Sequence, residues 1–208
     1  MVKPKLRGVS HGAAIVLASA AAVALLTAPQ AGPRFAWGAV YAASVVAMFS
    51  ASALLHLPDW SESRLALFRR IDHCMIFFTI AATYTPYAVL EGHAVAGLWV
   101  IWSFAVSGIA LSIAWLGMPR NLRALLYVAM GLSTTPLLLR LPELIGWPRV
   151  LAHFTSAVLY ISGAAVWARR WPDPRPHLFG FHEVFHLLVI AAVFTQYAVL
   201  LDLQWQLR

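Results

Sequence analysis

A chain of 208 residues that is 61% hydrophobic and 11% charged has too little polar surface to cover a globule in water, where domains carry about a quarter charged residues. A bilayer is the solvent that suits it. The single cysteine, Cys74, excludes an internal disulfide framework. The net charge of +7 does not mark a nucleic-acid binder, because the basic residues sit in short clusters between apolar runs and no Gly-rich phosphate loop or zinc-finger spacing is present.

A membrane-crossing helix needs about 20 mostly apolar residues, and seven stretches qualify. The first, 11–28, follows Lys3, Lys5 and Arg7 and so has the outline of a signal peptide. It is long for the apolar core of such a segment and further spans follow at once, so it reads as a retained first helix. The second span is 35–57. In the Pro58–Arg70 connection, Leu65, Leu67 and Phe68 alternate with Arg64, Arg69 and Arg70, which predicts a short interfacial helix. Spans at 71–90, 94–116, 122–140, 149–168 and 180–201 complete the series. The later connections include Leu141–Pro148 and Arg169–Phe179. None has room for a soluble domain, and no repeat or low-complexity tail is visible. Residues 1–208 therefore read as one all-α domain, a bundle of seven transmembrane helices.

Orientation follows from the Lys and Arg residues of the connections. With the N-terminus cytoplasmic, the inner segments hold eleven: Lys3, Lys5, Arg7, Arg64, Arg69, Arg70, Arg120, Arg123, Arg169, Arg170 and Arg175. The outer segments hold four: Arg34, Arg140, Arg149 and Arg208. The N-terminus is expected inside and the C-terminus outside. Trp37, Trp99, Trp147 and Trp205 then form an outer aromatic belt, and Trp115, Trp167 and Trp171 an inner one.

Ionisable groups inside a membrane are costly and mark function by default. Of eight acidic residues, only Asp72 and Glu183 fall in the opening turns of apolar segments. His56 lies at the inner end of the second span, Asp72 and His73 at the inner start of the third, and His182 and His186 in the first two turns of the seventh. Ser52 is one turn deeper than His56 on the same helix face. These positions, distant in sequence, arrive at one depth. His182 and His186, four residues apart, point the same way, and His56 can add a third nitrogen. Three protein ligands with an open fourth position is the arrangement of catalytic zinc, which brings the pKa of a coordinated water to about 7. Asp72 is placed to orient or deprotonate that water, and Ser52 to hold it or a developing oxyanion. Asp72 has a plainer reading as a helix cap or a partner of Arg69 or Arg70. His73 projects about 100° round the helix from Asp72 and reads as structural or as a partner of a ligand. His11 is a candidate for the latter role. His93, His153 and His177 read as interfacial residues.

The stretch Ser52-Ala-Leu-Leu-His56, the basic loop after it, Arg69-Arg70-Ile-Asp72-His73, Thr83-Tyr-Thr-Pro86, Gly180-Phe-His182-Glu-Val-Phe-His186 and His11-Gly12 together resemble the haemolysin III family. That family is grouped with the progestin and adipoQ receptors and, more distantly, the alkaline ceramidases. The resemblance covers nearly the whole chain. It implies a seven-helix bundle, multi-pass in a bacterial-type inner membrane, with Zn²⁺ on His56, His182 and His186 and with Asp72 and Ser52 around the metal-bound water. It also implies a metal-dependent hydrolase of lipid amide or ester bonds, with membrane lipids or a fatty-acyl substrate as partners, or a role in membrane homeostasis.

Three functions remain open on the residues. One is that hydrolase, its site opening to the inner leaflet. Another is an intramembrane protease, since His182-Glu183-Val-Phe-His186 satisfies H-E-x-x-H with Glu183 as base. The last is a sensor, receptor-like regulator or pore whose zinc is structural. A retinal protein is excluded, because Lys3 and Lys5 are the chain's lysines and neither lies within the bundle. Ligand type favours zinc, although His-rich sites also accept copper, nickel or iron.

Overall fold

Long runs of Ala, Val, Leu and Phe, interrupted chiefly at Pro and Gly, favour continuous helix, and in an apolar solvent helix is the way a single segment satisfies its own backbone. The computed structural model describes residues 3–28, 33–91, 95–134 and 139–206. These form eight α-helices and, among the described residues, no strand: α1 (Val9–Thr27), α2 (Pro33–His56), α3 (Glu62–Glu91), α4 (Val95–Ala114), α5 (Arg120–Leu132), α6 (Leu141–Ile145), α7 (Trp147–Arg169) and α8 (Phe181–Gln206). Five contain stretches long and apolar enough to cross a membrane: Val9–Thr27, Ala36–His56, Ala96–Ala114, Trp147–Arg169 and Phe181–Trp205.

The structure departs from the expected elements after Pro58 and at 141–148, and describes the 122–140 stretch in part. The interfacial helix expected after Pro58 is not a separate element. α3 starts at Glu62 and runs unbroken through Arg64–Arg70, because no Gly or Pro occurs before Pro86. The stretch expected as one span at 122–140 shows helix to Leu132, with residues 135–138 outside the described residues. The expected connection at 141–148 instead holds α6, with Pro142 in its opening turn and Gly146 ending it at φ 76°.

Neighbouring helices close a ring. α1 packs on α2 and α8, α2 on α3, α3 on α5, α5 on α7 and α7 on α8, while α4 lies against α3 and α5. In lipid, small residues and interhelical hydrogen bonds hold such contacts. Ala14 and Ala18 on one face of α1 are fully buried. On α4, a Cβ at Gly108 would lie 2.4 Å from the Phe77 ring of α3, so glycine is what lets these helices meet. Tyr41 of α2 donates to the Val193 carbonyl of α8 (3.2 Å), Thr79 of α3 to Ser44 of α2 (3.3 Å) and Ser156 of α7 to Ala192 of α8 (3.0 Å). The main core joins Tyr41, Val45 and Phe49 of α2 to Val189, Val193 and Tyr197 of α8. It therefore fixes the two helices that carry the site.

Trp99, Trp115, Trp147, Trp171 and Trp205 present exposed rings, as interfacial positions require. Trp37 and Trp167 depart from that pattern. The Trp37 indole N–H is buried, and Trp167 packs between Arg120 and Phe185.

Candidate metal centre

His56 ends α2, and His182 and His186 occupy the first two turns of α8. Side chains of α2 and α8 meet across the core, and at this end the three imidazoles converge, with one nitrogen from each within 4.8 Å of the others. His56 Nε2 and His182 Nε2 are 3.1 Å apart. The His182 and His186 ring centroids are 4.5 Å apart, as the i, i+4 relation requires. Tetrahedral zinc with N–Zn bonds of about 2.0–2.1 Å separates its donor atoms by about 3.3 Å. Donor type and spacing thus fit a small divalent ion. His186 is 1% exposed and its Nδ1 is buried without a hydrogen-bond partner, so it gains from a ligand that fixes its ring.

Ser52 is buried one turn before His56, with its hydroxyl close to the Asp72 carboxylate of α3. Ser52 thus lies one turn from His56 on α2, while the group of ligand atoms within 4.8 Å of one another consists of the three histidines without Asp72. Asp72 does not cap a helix, since it lies beyond the first two turns of α3. The cation whose field acts on it is Arg123 of α5, beyond ion-pair distance, and not the Arg69 or Arg70 considered from sequence.

Arg123 is a functional-region residue that the sequence reading misplaced. Counted there as a connection charge, it is 1% exposed in the structure. Its guanidinium donates to Ser112 Oγ (3.5 Å) and the Leu116 carbonyl (3.4 Å) and lies close to Tyr127, whose hydroxyl donates to the His73 carbonyl (3.3 Å). A buried guanidinium is tolerated because neutral acceptors take its N–H groups and a carboxylate lies nearby. The available signal was its position one residue inside the fifth apolar stretch.

The other histidines separate. His11 is 3% exposed and stacks on His186, with centroids 3.6 Å apart and planes at 9°. His73 stays outside the cluster, edge-on to Trp167. His153 is not interfacial: it is half-buried, 3.3 Å from Gln196 and edge-on to Tyr87, in a polar knot completed by the Gln196–Tyr87 hydrogen bond. His177 is exposed in the α7–α8 connection. His93 lies outside the described residues.

Glu183 is committed elsewhere. One oxygen accepts the Gly180 N–H at 2.8 Å, a reach-back cap of α8, and the other pairs with Arg7. An apolar cavity of about 610 Å³ lined by Phe77, Trp99, Phe104, Leu111 and Leu126 lies between α3, α4 and α5, and none of the three histidines lines it.

Residues 1–197 match the family model described as haemolysin-III related. The chain is 30% identical over 129 residues to Hemolysin-3 of Bacillus cereus, covering 59% of this chain and 58% of that protein. It is 26% identical over 188 residues to the adiponectin receptor protein of Drosophila melanogaster, covering 81% and 42% respectively. Over 108 residues it is 29% identical to monocyte to macrophage differentiation factor of Homo sapiens, covering 47% and 43%. The chain spans about half the length of the curated relatives it matches. With a family match over nearly its whole length, apolar helices of membrane-spanning length and a three-histidine cluster joining α2 to α8, this chain belongs to the haemolysin III family of membrane proteins.

Proposed function

We propose that this protein is a seven-span membrane hydrolase that uses zinc to cleave amide or ester bonds of membrane lipids. The observation that carries the reading is the convergence of His56, His182 and His186, with Ser52 one turn from His56 on α2. α3 and the segment beginning with α5 supply the two spans beyond the five apolar helices. α3, with 30 residues, is about 45 Å long and exceeds the roughly 30 Å hydrocarbon core. The excess of Lys and Arg in alternate connections supports a cytoplasmic N-terminus, with the histidines near the inner leaflet.

When bound, zinc supplies Lewis acidity toward a carbonyl and toward water. The three histidines hold it. The Ser52 hydroxyl fixes the orientation of the Asp72 carboxylate. An Asp72 oxygen takes the proton of the attacking water and returns it to the departing amine or alcohol. The field of Arg123 acts on Asp72 from the side of α5. Glu183 does not act as base in this scheme, because both its oxygens are used by Gly180 and Arg7.

The test is turnover of a ceramide and of a phospholipid ester by the purified full chain in nanodiscs, with and without chelator. Chelation, His186→Ala and Asp72→Asn are each expected to lower the rate at least about 100-fold, the usual scale for losing general-base help. Equal rates for wild type and His186→Ala would overturn the reading. The names of two relatives, a hemolysin and a receptor, support a second reading: a non-enzymatic regulator or pore with structural zinc. It predicts bound zinc, no turnover, and in the pore form a conductance in reconstituted bilayers.

A further inference from the structure

The segment before α1 has no part in the scheme above, yet it lies across the end of the bundle where the histidines meet. Lys3 Nζ donates to the Leu57 and Pro58 carbonyls (3.3 and 3.4 Å) and pairs with Asp59 (3.2 Å). The Lys5 and Leu6 N–H groups donate to the His177 and Leu178 carbonyls, each at 3.1 Å. The segment thus ties the α2–α3 connection to the α7–α8 connection, the two chain regions that flank the ligands. Arg7 then pairs with Glu183, which is itself bound to the start of α8.

The next residues touch the ligands. Gly8 has φ 84°, and a Cβ there would lie 2.7 Å from His56 Cβ and 3.3 Å from Leu57 Cγ. Both conformation and space therefore require glycine where the backbone presses on His56. His11 lies face to face with His186, with Phe49 tilted against its ring at 4.9 Å. Both ring nitrogens of His11 are buried without a hydrogen-bond partner. Imidazole lone pairs lie in the ring plane. With the two planes nearly parallel, an ion in the plane of His186 lies out of the plane of His11. The ring of His11 is thus placed to support a ligand rather than to be one.

We propose that residues 3–11 form a clasp that completes the metal centre, with His11 and Gly8 as positioning residues that hold the His186 and His56 rings in their ligating orientations. The proposal rests on the zinc reading of the three histidines. A free imidazole on a helix turns about two side-chain bonds, and the stacked face of His11 removes that freedom before metal arrives. Losing a group that orients a ligand usually weakens metal affinity about 10–100-fold.

The test uses the full chain in detergent, with zinc affinity measured by competition with a chromophoric chelator and ligand geometry by the visible spectrum of the Co²⁺-loaded protein. His11→Ala is expected to weaken zinc binding about 10–100-fold and to shift the cobalt bands. His11→Phe, which keeps the flat ring without nitrogens, is expected to restore both. Gly8→Ala and Arg7→Met, which loosen the clasp without touching His11, are each expected to weaken binding. Wild-type affinity in His11→Ala, or in both clasp variants should His11→Ala not fold, would overturn the proposal. So would loss in His11→Ala that His11→Phe fails to restore, which would make a His11 nitrogen a ligand. If wild type takes up no zinc, or His182→Ala binds it equally well, the zinc reading falls and the clasp with it. If wild type binds zinc and His182→Ala does not, a failure of the His11 variants falls on the clasp alone.

Discussion

His56→Ala removes the one ligand that α2 would contribute to the proposed zinc site, and its cost can be worked out in advance. A structural zinc site with four ligands contributes about 10–16 kcal/mol, so one ligand is worth about 2.5–4 kcal/mol. That loss weakens zinc binding about 10²–10³-fold. At a zinc concentration about 100 times the wild-type Kd, binding stabilises the wild type by about 2.7 kcal/mol. For a chain of this size the gain is about 5–10 °C in Tm. At the same zinc concentration a variant with 100-fold weaker binding gains about 0.4 kcal/mol, or about 1 °C. His56→Ala also lowers the metal-free Tm, because His182 Nε2 loses its partner at 3.1 Å and a stranded buried polar group costs about 1–3 kcal/mol. The deciding quantity is therefore the increment on adding zinc, read by thermal unfolding of the detergent-solubilised chain with and without chelator. A full increment in His56→Ala, or none in wild type, would refute the reasoning.

Other substitutions separate the parts of the site. Glu183→Gln keeps an oxygen for the Gly180 N–H and loses the charge facing Arg7, so at saturating zinc, which offsets a loosened clasp, lipid turnover should stay within a few-fold of wild type, whereas Asp72→Asn should lower it about 10²–10⁴-fold. The opposite pattern in the same assay would favour the protease reading. Arg123→Met strands the Ser112 and Leu116 acceptors and removes the buried cation nearest Asp72, and should destabilise the protein by about 1–3 kcal/mol in denaturant unfolding. Adding Asp72→Asn should recover part of that loss, and strict additivity would mean that the two groups do not interact. Gly108→Leu drives a side chain into Phe77 and should cost about 1–3 kcal/mol in Tm measurements while leaving the zinc increment intact, since α3 and α4 meet away from the histidines.

Much of the candidate metal centre was legible before any fold was drawn. His182 and His186 share a face because a helix repeats every 3.6 residues, and that local geometry needs no tertiary knowledge. The end-of-helix positions of His56 and the His182/His186 pair followed from counting apolar residues between breakers, and the structure brings these three together. Composition likewise implied a membrane chain, because surface area and polarity are bulk properties. The interfacial helix after Pro58 was misread because a change in polarity was taken as a change of element, while the backbone there meets nothing that stops a helix.

Other features depend on which helices become neighbours. Arg123 looked like one more loop charge, and its burial follows from α5 facing Asp72 on α3 and Ser112 on α4. His153 looked interfacial until α7 and α8 paired and set it against Gln196. Glu183 completed a familiar zincin pattern, yet an arginine 176 residues away and the start of its own helix use its oxygens. Stacking of His11 on His186 leaves no trace in periodicity, because a ring-on-ring contact is set by how two helices cross and at what height. Local spacing decides which side of a helix a residue occupies; what waits on that side is settled by the closing of the ring of helices.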